Sequence, residues 1–511
     1  MCVARLDPSN IWSMLNHSSG YRARRSSLSA YEKERLSNIA RNRAHLIALG
    51  IEEDVSSLRD ATKKQRAPLK GSAINKKNKN DAVPPRSRSL RLQNLDTDGV
   101  RIADKPVIEP PVTAPRAARK PSVPLDAAKV STGATSPEAA AAFLTRLGEA
   151  DPAPEVKKAK KGKAAMCEFT APFNALEQKA VAVLAVAEDD IAKLVPERIF
   201  SLEVHPSPTK LLVAAGDTWG RVGLWDVQAG DDTPVVTFEP HSRPVAGMRI
   251  APHQPHLLLS CSHDGSVRCL DLGGGGAGAS FTEIYRAPED SDGDYPMLHG
   301  FSRTATEGGS LALARSDGKC VLLDPRVASS AGHVQQLHEK KIFCVDVSPN
   351  KPFLLASSSL DRSVALWDVR TFGDKKAKPL TILEHGLSVT SARFSSSGQR
   401  LLTTCNDDLL RVYDGHADKD WTLRTAIKHN NKTGRYITSF QAEWLRGSDE
   451  RVLCGSLGQP RGIDVFSARD GAALERLEDD NVTSVVSLLA QHPSRPALVA
   501  SNSGGKCFVW R

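Results

Sequence analysis

The chain has 511 residues, a net charge of +9, 40% hydrophobic residues and a mean hydropathy of −0.32. This composition describes a soluble protein, and no run approaches the roughly eighteen apolar residues that a membrane span needs. Residues 1–10 lack the charged start and apolar core of a secretory leader, so secretion is not expected. The nine cysteines stand singly, with no C-x-x-C pair, and several lie in apolar runs such as Ile342-Phe-Cys-Val345. They read as small buried hydrophobes of a reducing compartment, and no metal or cofactor is expected.

Charge is unevenly spread. Residues 1–165 hold 31 Lys and Arg against 17 Asp and Glu, whereas residues 166–511 hold 37 against 42. A basic arm on a mildly acidic body suits a polyanionic partner, because each cation set on a phosphate releases condensed counterions. The arm is rich in Pro, Ala, Ser, Lys and Arg and poor in aromatics. It cannot bury enough apolar surface to offset its ordering entropy and is expected to be largely disordered. One short amphipathic helix is predicted near residues 30–49. Ser29 and Glu32 have capping-box spacing, Leu36, Ile39, Ala40, Leu46 and Ile47 recur at helical intervals, and Gly50 supplies a stop. Basic clusters follow at residues 63–79 and 157–163. The second, Lys-Lys-Ala-Lys-Lys-Gly-Lys, has the composition of a nuclear localisation signal or nucleic-acid patch, and the nucleus is the expected compartment.

From about Ile199 a repeat sets in. Strand-like runs end in Leu224-Trp-Asp226, Cys269-Leu-Asp271, Leu322-Leu-Asp324, Leu366-Trp-Asp368, Val412-Tyr-Asp414, Val465-Phe-Ser467 and Val509-Trp-Arg511. Their central residues lie 45, 53, 44, 46, 53 and 44 apart. That is close to the roughly 40–45-residue WD period, with two longer loops. Within a repeat, an apolar strand, a Ser/Ala-rich strand, a tight turn with Asp and a second apolar strand follow one another. Leu354-Leu-Ala-Ser-Ser-Ser-Leu-Asp-Arg-Ser-Val-Ala-Leu-Trp367 shows the template most fully. The pattern predicts an all-β fold, a seven-bladed WD-repeat β-propeller over residues 166–511, which leaves no long exposed sheet edge. The last triplet is a third strand, so closure calls for an outer strand near residues 190–195. The sixth repeat, with Gly455-Ser-Leu-Gly-Gln-Pro460 at its turn, is the most degenerate.

His241, His338, His385 and His429 precede first strands, and Asp264, Asp317, Asp361 and Asp407 occupy hairpin turns. Such pairs could serve acid–base chemistry. Blades of this kind also use His, Ser/Thr, Asp and Trp in buried hydrogen-bond networks, and that structural role is the stronger reading. No nucleophile motif, phosphate-binding loop or metal spacing stands out, so binding rather than catalysis is expected.

The segments leading into first strands should collect on one rim of the channel: Arg198, Arg243, Lys340, Lys341, and the run Lys428-His429-Asn430-Asn431-Lys432-Thr-Gly-Arg435-Tyr436. Trp219, in the turn of blade one, belongs to the same face and could stack on a base. Gathered cations of this kind suit phosphate. On the opposite rim, Trp367-Asp368-Val-Arg370 and Asp324-Pro-Arg326 place an Arg just beyond a third strand. There it could pair with a docked protein or with its own Asp.

Residues 31–51, the lead-in Pro196-Glu-Arg-Ile-Phe-Ser-Leu-Glu-Val-His-Pro206 and Lys428-His-Asn-Asn-Lys-Thr-Gly-Arg435 closely resemble the WD repeat-containing protein 76 family. Its fungal members are Cmr-type DNA damage-binding proteins. The family is similar to the smaller subunit of the UV-damaged-DNA-binding complex, a nuclear propeller that grips lesions with its channel face. The resemblance implies that Lys341 falls at a DNA-contacting lysine. It places the His429-Asn430-Asn431 loop where the relative inserts a probing hairpin, without that hairpin's aromatic residue. It also matches Asp324 and Arg326, and Asp368 and Arg370 headed by Trp367, to the Asp-x-Arg boxes that dock propeller receptors on the adaptor of Cullin-4 ubiquitin ligases. The implied partners are DNA, single- or double-stranded and favoured when damaged. Alternatively they are a Cullin-4 ligase adaptor, histones or other chromatin proteins, without direct DNA recognition.

Overall fold

The computed structural model describes residues 118–132, 135–148 and 184–511, except 231–233, 252–253, 274–278, 290–294, 304–308, 326–331, 375–376 and 418–419. The helix predicted near 30–49, the clusters at 63–79 and 157–163, and Arg326 lie outside the described residues.

Seven antiparallel sheets follow one another along the chain, each starting from an innermost strand and moving outward. The innermost strands are Ile199–Val204, Val245–Ala251, Leu298–Arg303, Ile342–Val347, Val389–Phe394, Glu443–Trp444 and Val486–Gln491. The Ser/Ala-rich runs are second strands because small side chains let neighbouring blades approach. Leu354–Ser359, for instance, is buried at every position. The seventh sheet has three strands from the C-terminal segment and takes its outer strand from Ile191–Lys193, with Ile191 opposite Phe508 and Lys193 opposite Lys506. This pairing joins the two ends of the ring. The degenerate sixth blade has the shortest inner strand, of two residues.

Six of the seven inner strands share a register shift after their first residue, at 199/201, 245/247, 298/300, 342/344, 389/391 and 486/488. A bulge leaves one residue unpaired and re-aims its side chain. The unpaired residues include Phe200, Ala246, His299 and Phe343, and all four line the central channel.

Residues 118–132 and 135–148, within the stretch expected to form the disordered arm, are built into the fold. Leu125–Asp126 pairs with Ser280–Arg286 and makes blade two five-stranded. The helix Pro137–Gly148 then packs beside blade one. Ser136 caps it, its Oγ accepting from the Ala139 amide at 3.1 Å. Ala140, Phe143 and Leu144 on one helical face are buried with Phe238, Phe281 and Leu224. Local apolar periodicity thus overrides the average composition of the surrounding segment.

A candidate nucleic-acid interface at the channel mouth

The lead-ins of blades one, two and four are seated on the hairpin turn between the second and third strands of their blades. The Thr218 amide donates to the Arg198 carbonyl at 3.2 Å and the Leu360 amide to the Lys341 carbonyl at 3.1 Å. The Ser262 hydroxyl donates to the Arg243 carbonyl at 3.0 Å. Turns also support the next blade: Gly220 and Gly318 have φ of 91° and 77°, and a Cβ on either would collide with the carbonyl of His241 or His338. This repeated seating puts Arg198, Trp219, Arg243, Lys340 and Lys341 on one face of the ring.

The connection from blade five to blade six joins them. An Arg198 Nη1 donates to the Arg435 carbonyl at 2.7 Å, and the Thr438 hydroxyl donates to the Ile199 carbonyl at 2.6 Å. The connection therefore reaches the lead-in of blade one. Lys428, Asn430, Lys432, Arg435 and Tyr436 are exposed along it. His429 and Asn431 are not available to a partner, contrary to their proposed role. Both are buried. They contact each other at 2.7 Å, and Asn431 Nδ2 donates to the Cys405 carbonyl at 2.8 Å. They fasten the loop that the neighbouring cations ride on.

Burial shapes the throat below. Lys341 Nζ lies 4.6 Å from the centroid of the Phe343 ring, and the Arg198 guanidinium lies 4.8 Å from that of Phe200. Partial burial pulls the pKa of both cations down. The His263 and His299 rings meet edge to face at 4.6 Å. Burial first, then Lys341 and Arg243, hold His263 at about 4. Burial, His263 and Lys341 hold His299 at about 3. The imidazoles are neutral at pH 7, so the positive charge here belongs to Lys and Arg. Among the described residues, Lys432 is the one member of the set in an ion pair, with Asp408 at 3.0 Å.

Two large aromatics stand out of this surface. Trp219 is 62% exposed and Tyr436 is 79% exposed. The aromatic residue of the connecting loop, Tyr436, lies five positions beyond Asn431.

Deeper in the channel, the sequence reading missed a charged girdle. Arg249 pairs with Glu203 at 3.1 Å. Arg393 reaches Glu443 at 3.4 Å and Asp346 at 3.9 Å. Glu203, Arg249, Asp346 and Arg393 are each the fifth residue of an inner strand, so the signal lay in a charge recurring within apolar runs. Burial raises the pKa of Glu203, Asp346 and Glu443. These charges satisfy one another across adjacent blades, as buried ions must.

The histidines divide by blade. His241 Nδ1 meets Asp264 at 3.1 Å and its Nε2 meets Ser260 at 2.9 Å. His338 meets Asp361 at 2.8 Å and Ser357 at 2.7 Å. These are buried structural networks. In blade five, Asp407 instead holds Arg411 at 2.6 Å, and His385 bonds Thr403 at 3.0 Å. In blade three, Asp317 pairs with Arg315 at 2.6 Å. The indole of Trp367 packs edge to face on Phe372 without joining its blade's network.

On the opposite rim, Arg370 donates to Asp368 at 2.6 Å and 2.9 Å and lies 4.0 Å over the Phe353 ring. Trp367 is 4% exposed and so offers a docked protein no contact surface. Asp324 is half-buried at the same level of blade three.

Seven such sheets, with His–Ser–Asp networks in blades two and four, define a WD-repeat β-propeller. The WD domain, G-beta repeat family matches residues 232–271, 330–368 and 377–414. The chain is 34% identical to WD repeat-containing protein 76 of Xenopus laevis, over 94% of this chain and 80% of the frog protein. It is 31% identical to the Mus musculus protein of that name, over 95% of this chain and 75% of the mouse protein. It is 30% identical to DNA damage-binding protein CMR1 of Phaeosphaeria nodorum, over 94% of this chain and 98% of the fungal protein. The chain belongs to this family of WD repeat-containing protein 76 and its fungal counterparts.

Proposed function

We propose that this chain is a nuclear protein that binds DNA with the mouth of its channel, favours damaged duplex, and acts in the DNA damage response and DNA metabolism. The observation that carries this reading is the convergence of Arg198, Arg243, Lys340, Lys341, Lys428 and Arg435 on one face, linked through the Arg198–Arg435 bond. The name of the fungal relative, a DNA damage-binding protein, supports the same reading. Phosphate contacts supply most of the affinity and carry little sequence information. Charge reversal at Arg243 and Lys341 tests it by titration of labelled UV-irradiated and untreated duplex. Both affinities should fall at least about tenfold, since each reversal removes one phosphate contact and adds repulsion. Unchanged affinities contradict the reading.

A second role is proposed for the opposite rim, as a docking surface for the adaptor of a Cullin-4 ubiquitin ligase. It is favoured by the guanidinium of Arg370, which Asp368 and Phe353 hold in place while its side chain stays 65% exposed. Arg370→Ala should abolish capture of that adaptor and leave DNA binding intact. Capture equal to wild type overturns the docking role.

A further inference from the structure

Trp219 and Tyr436 are the two most exposed large aromatic side chains among the described residues. They come from unrelated parts of the chain, the hairpin turn of blade one and the connection between blades five and six. A short series of contacts joins them. The amide of Thr218, next to Trp219, bonds Arg198, and Arg198 bonds Arg435, next to Tyr436. The backbone that presents Trp219 is itself fixed. Its amide and that of Arg221 both donate to the buried Asp217 carboxylate, at 2.8 Å and 2.9 Å. Each ring therefore projects from a loop whose backbone is tethered to Arg198.

Exposed aromatic surface costs hydration, and phosphate binding alone gives it no use. An exposed ring on a cationic face suits a base whose own face is open, because stacking needs no particular hydrogen-bond pattern. In a continuous duplex the base faces are covered by their neighbours. They become available where pairing is interrupted.

We propose that Trp219 and Tyr436 stack on unpaired bases, so that this face selects DNA with a mismatched bubble or a single-stranded gap over continuous duplex. The proposal rests on the DNA-binding reading and adds to it the form of DNA that is preferred.

The test measures binding of the full chain to three labelled DNAs of equal length and salt: intact duplex, duplex with a central mismatched bubble, and single strand. The variants are Trp219→Ala, Tyr436→Ala, their combination, Trp219→Phe, and the charge reversal at Arg243 and Lys341. Wild type should favour the bubble over intact duplex by about tenfold or more. Each alanine should lower bubble binding roughly five- to tenfold, as expected for loss of one stacked base, and should lower intact-duplex binding by clearly less, so that the preference shrinks. Trp219→Phe should retain most of the preference, and the charge reversal should weaken all three DNAs together. Equal binding to bubble and duplex by wild type, or an alanine double variant that keeps the preference, overturns the stacking proposal while leaving DNA binding in place. No binding of any DNA by wild type overturns the underlying reading instead.

Discussion

Arg198 and Arg435, 237 positions apart, meet at the channel mouth, where the guanidinium of the first donates to the carbonyl of the second at 2.7 Å. The bond spans from the lead-in of blade one to the loop before blade six. It places two cationic segments at one site and spends only part of one guanidinium's donor capacity in doing so.

That bond predicts local stiffness. Arg198→Ala should speed amide hydrogen exchange across residues 432–438 while the strands of blades two to four keep their protection, because the loop then depends on Thr438 and the buried His429–Asn431 pair. Uniform exchange changes across the ring would show that Arg198 acts on global stability instead.

The helix Pro137–Gly148 is part of the propeller's core. Phe143→Ala should cost about 3–5 kcal/mol in urea unfolding, the usual cost of deleting a buried aromatic. A chain starting at residue 166 should melt well below one starting at residue 118. Equal melting temperatures would mean that the helix packs without stabilising blades one and two.

Asp264 and Asp407 occupy equivalent turns with different partners. Asp264→Ala strands His241 and the Ser266 hydroxyl and amide in a buried site. About 3 kcal/mol of stability should be lost there, given the cost of unsatisfied buried groups. Asp407→Ala breaks a partly solvated pair with Arg411 and should cost about 1 kcal/mol. Denaturant midpoints for the two variants decide the ranking.

Acid should destabilise the fold without strengthening DNA binding. His263 and His385 are held at about 4 and His299 at about 3 in the folded chain, burial being the first cause in each. The unfolded chain, with histidines near 6.5, binds more protons between those values. Stability therefore falls as pH drops from about 6.5 toward 4. Since the throat imidazoles stay neutral at pH 6, DNA affinity should match at pH 7.5 and pH 6. A rise on acidification would mean that one of them gains a proton in the complex.

The blades were legible because their physics is periodic. Trp225, Trp367 and Tyr413 sit at one recurring packing position, and each Asp-bearing turn breaks the apolar runs at a fixed place. The helix at 137–148 was harder to see. Its capping Ser136, apolar stripe and terminal Gly148 are all in the sequence, but surrounding Ala, Pro and Lys dilute them in any wide window. The mouth was legible as a set of cations, since lead-ins must share a face. Burial within a polar loop was not, and His429 and Asn431 were misread for that reason. Polar residues in a loop carry the same letters whether they fasten it or face a partner. Tyr436 was in view as the end of the cationic run, but its 79% exposure cannot be read from the letters of a polar loop.

The central claim is most directly tested by a salt titration of duplex binding, comparing wild type with a variant in which Arg243, Lys340, Lys341 and Arg435 are all glutamine. If the channel mouth holds the phosphates, affinity should drop and the slope of log K against log salt should become shallower by about 0.9 for each lost phosphate contact. A variant with the wild-type slope and affinity would contradict the account.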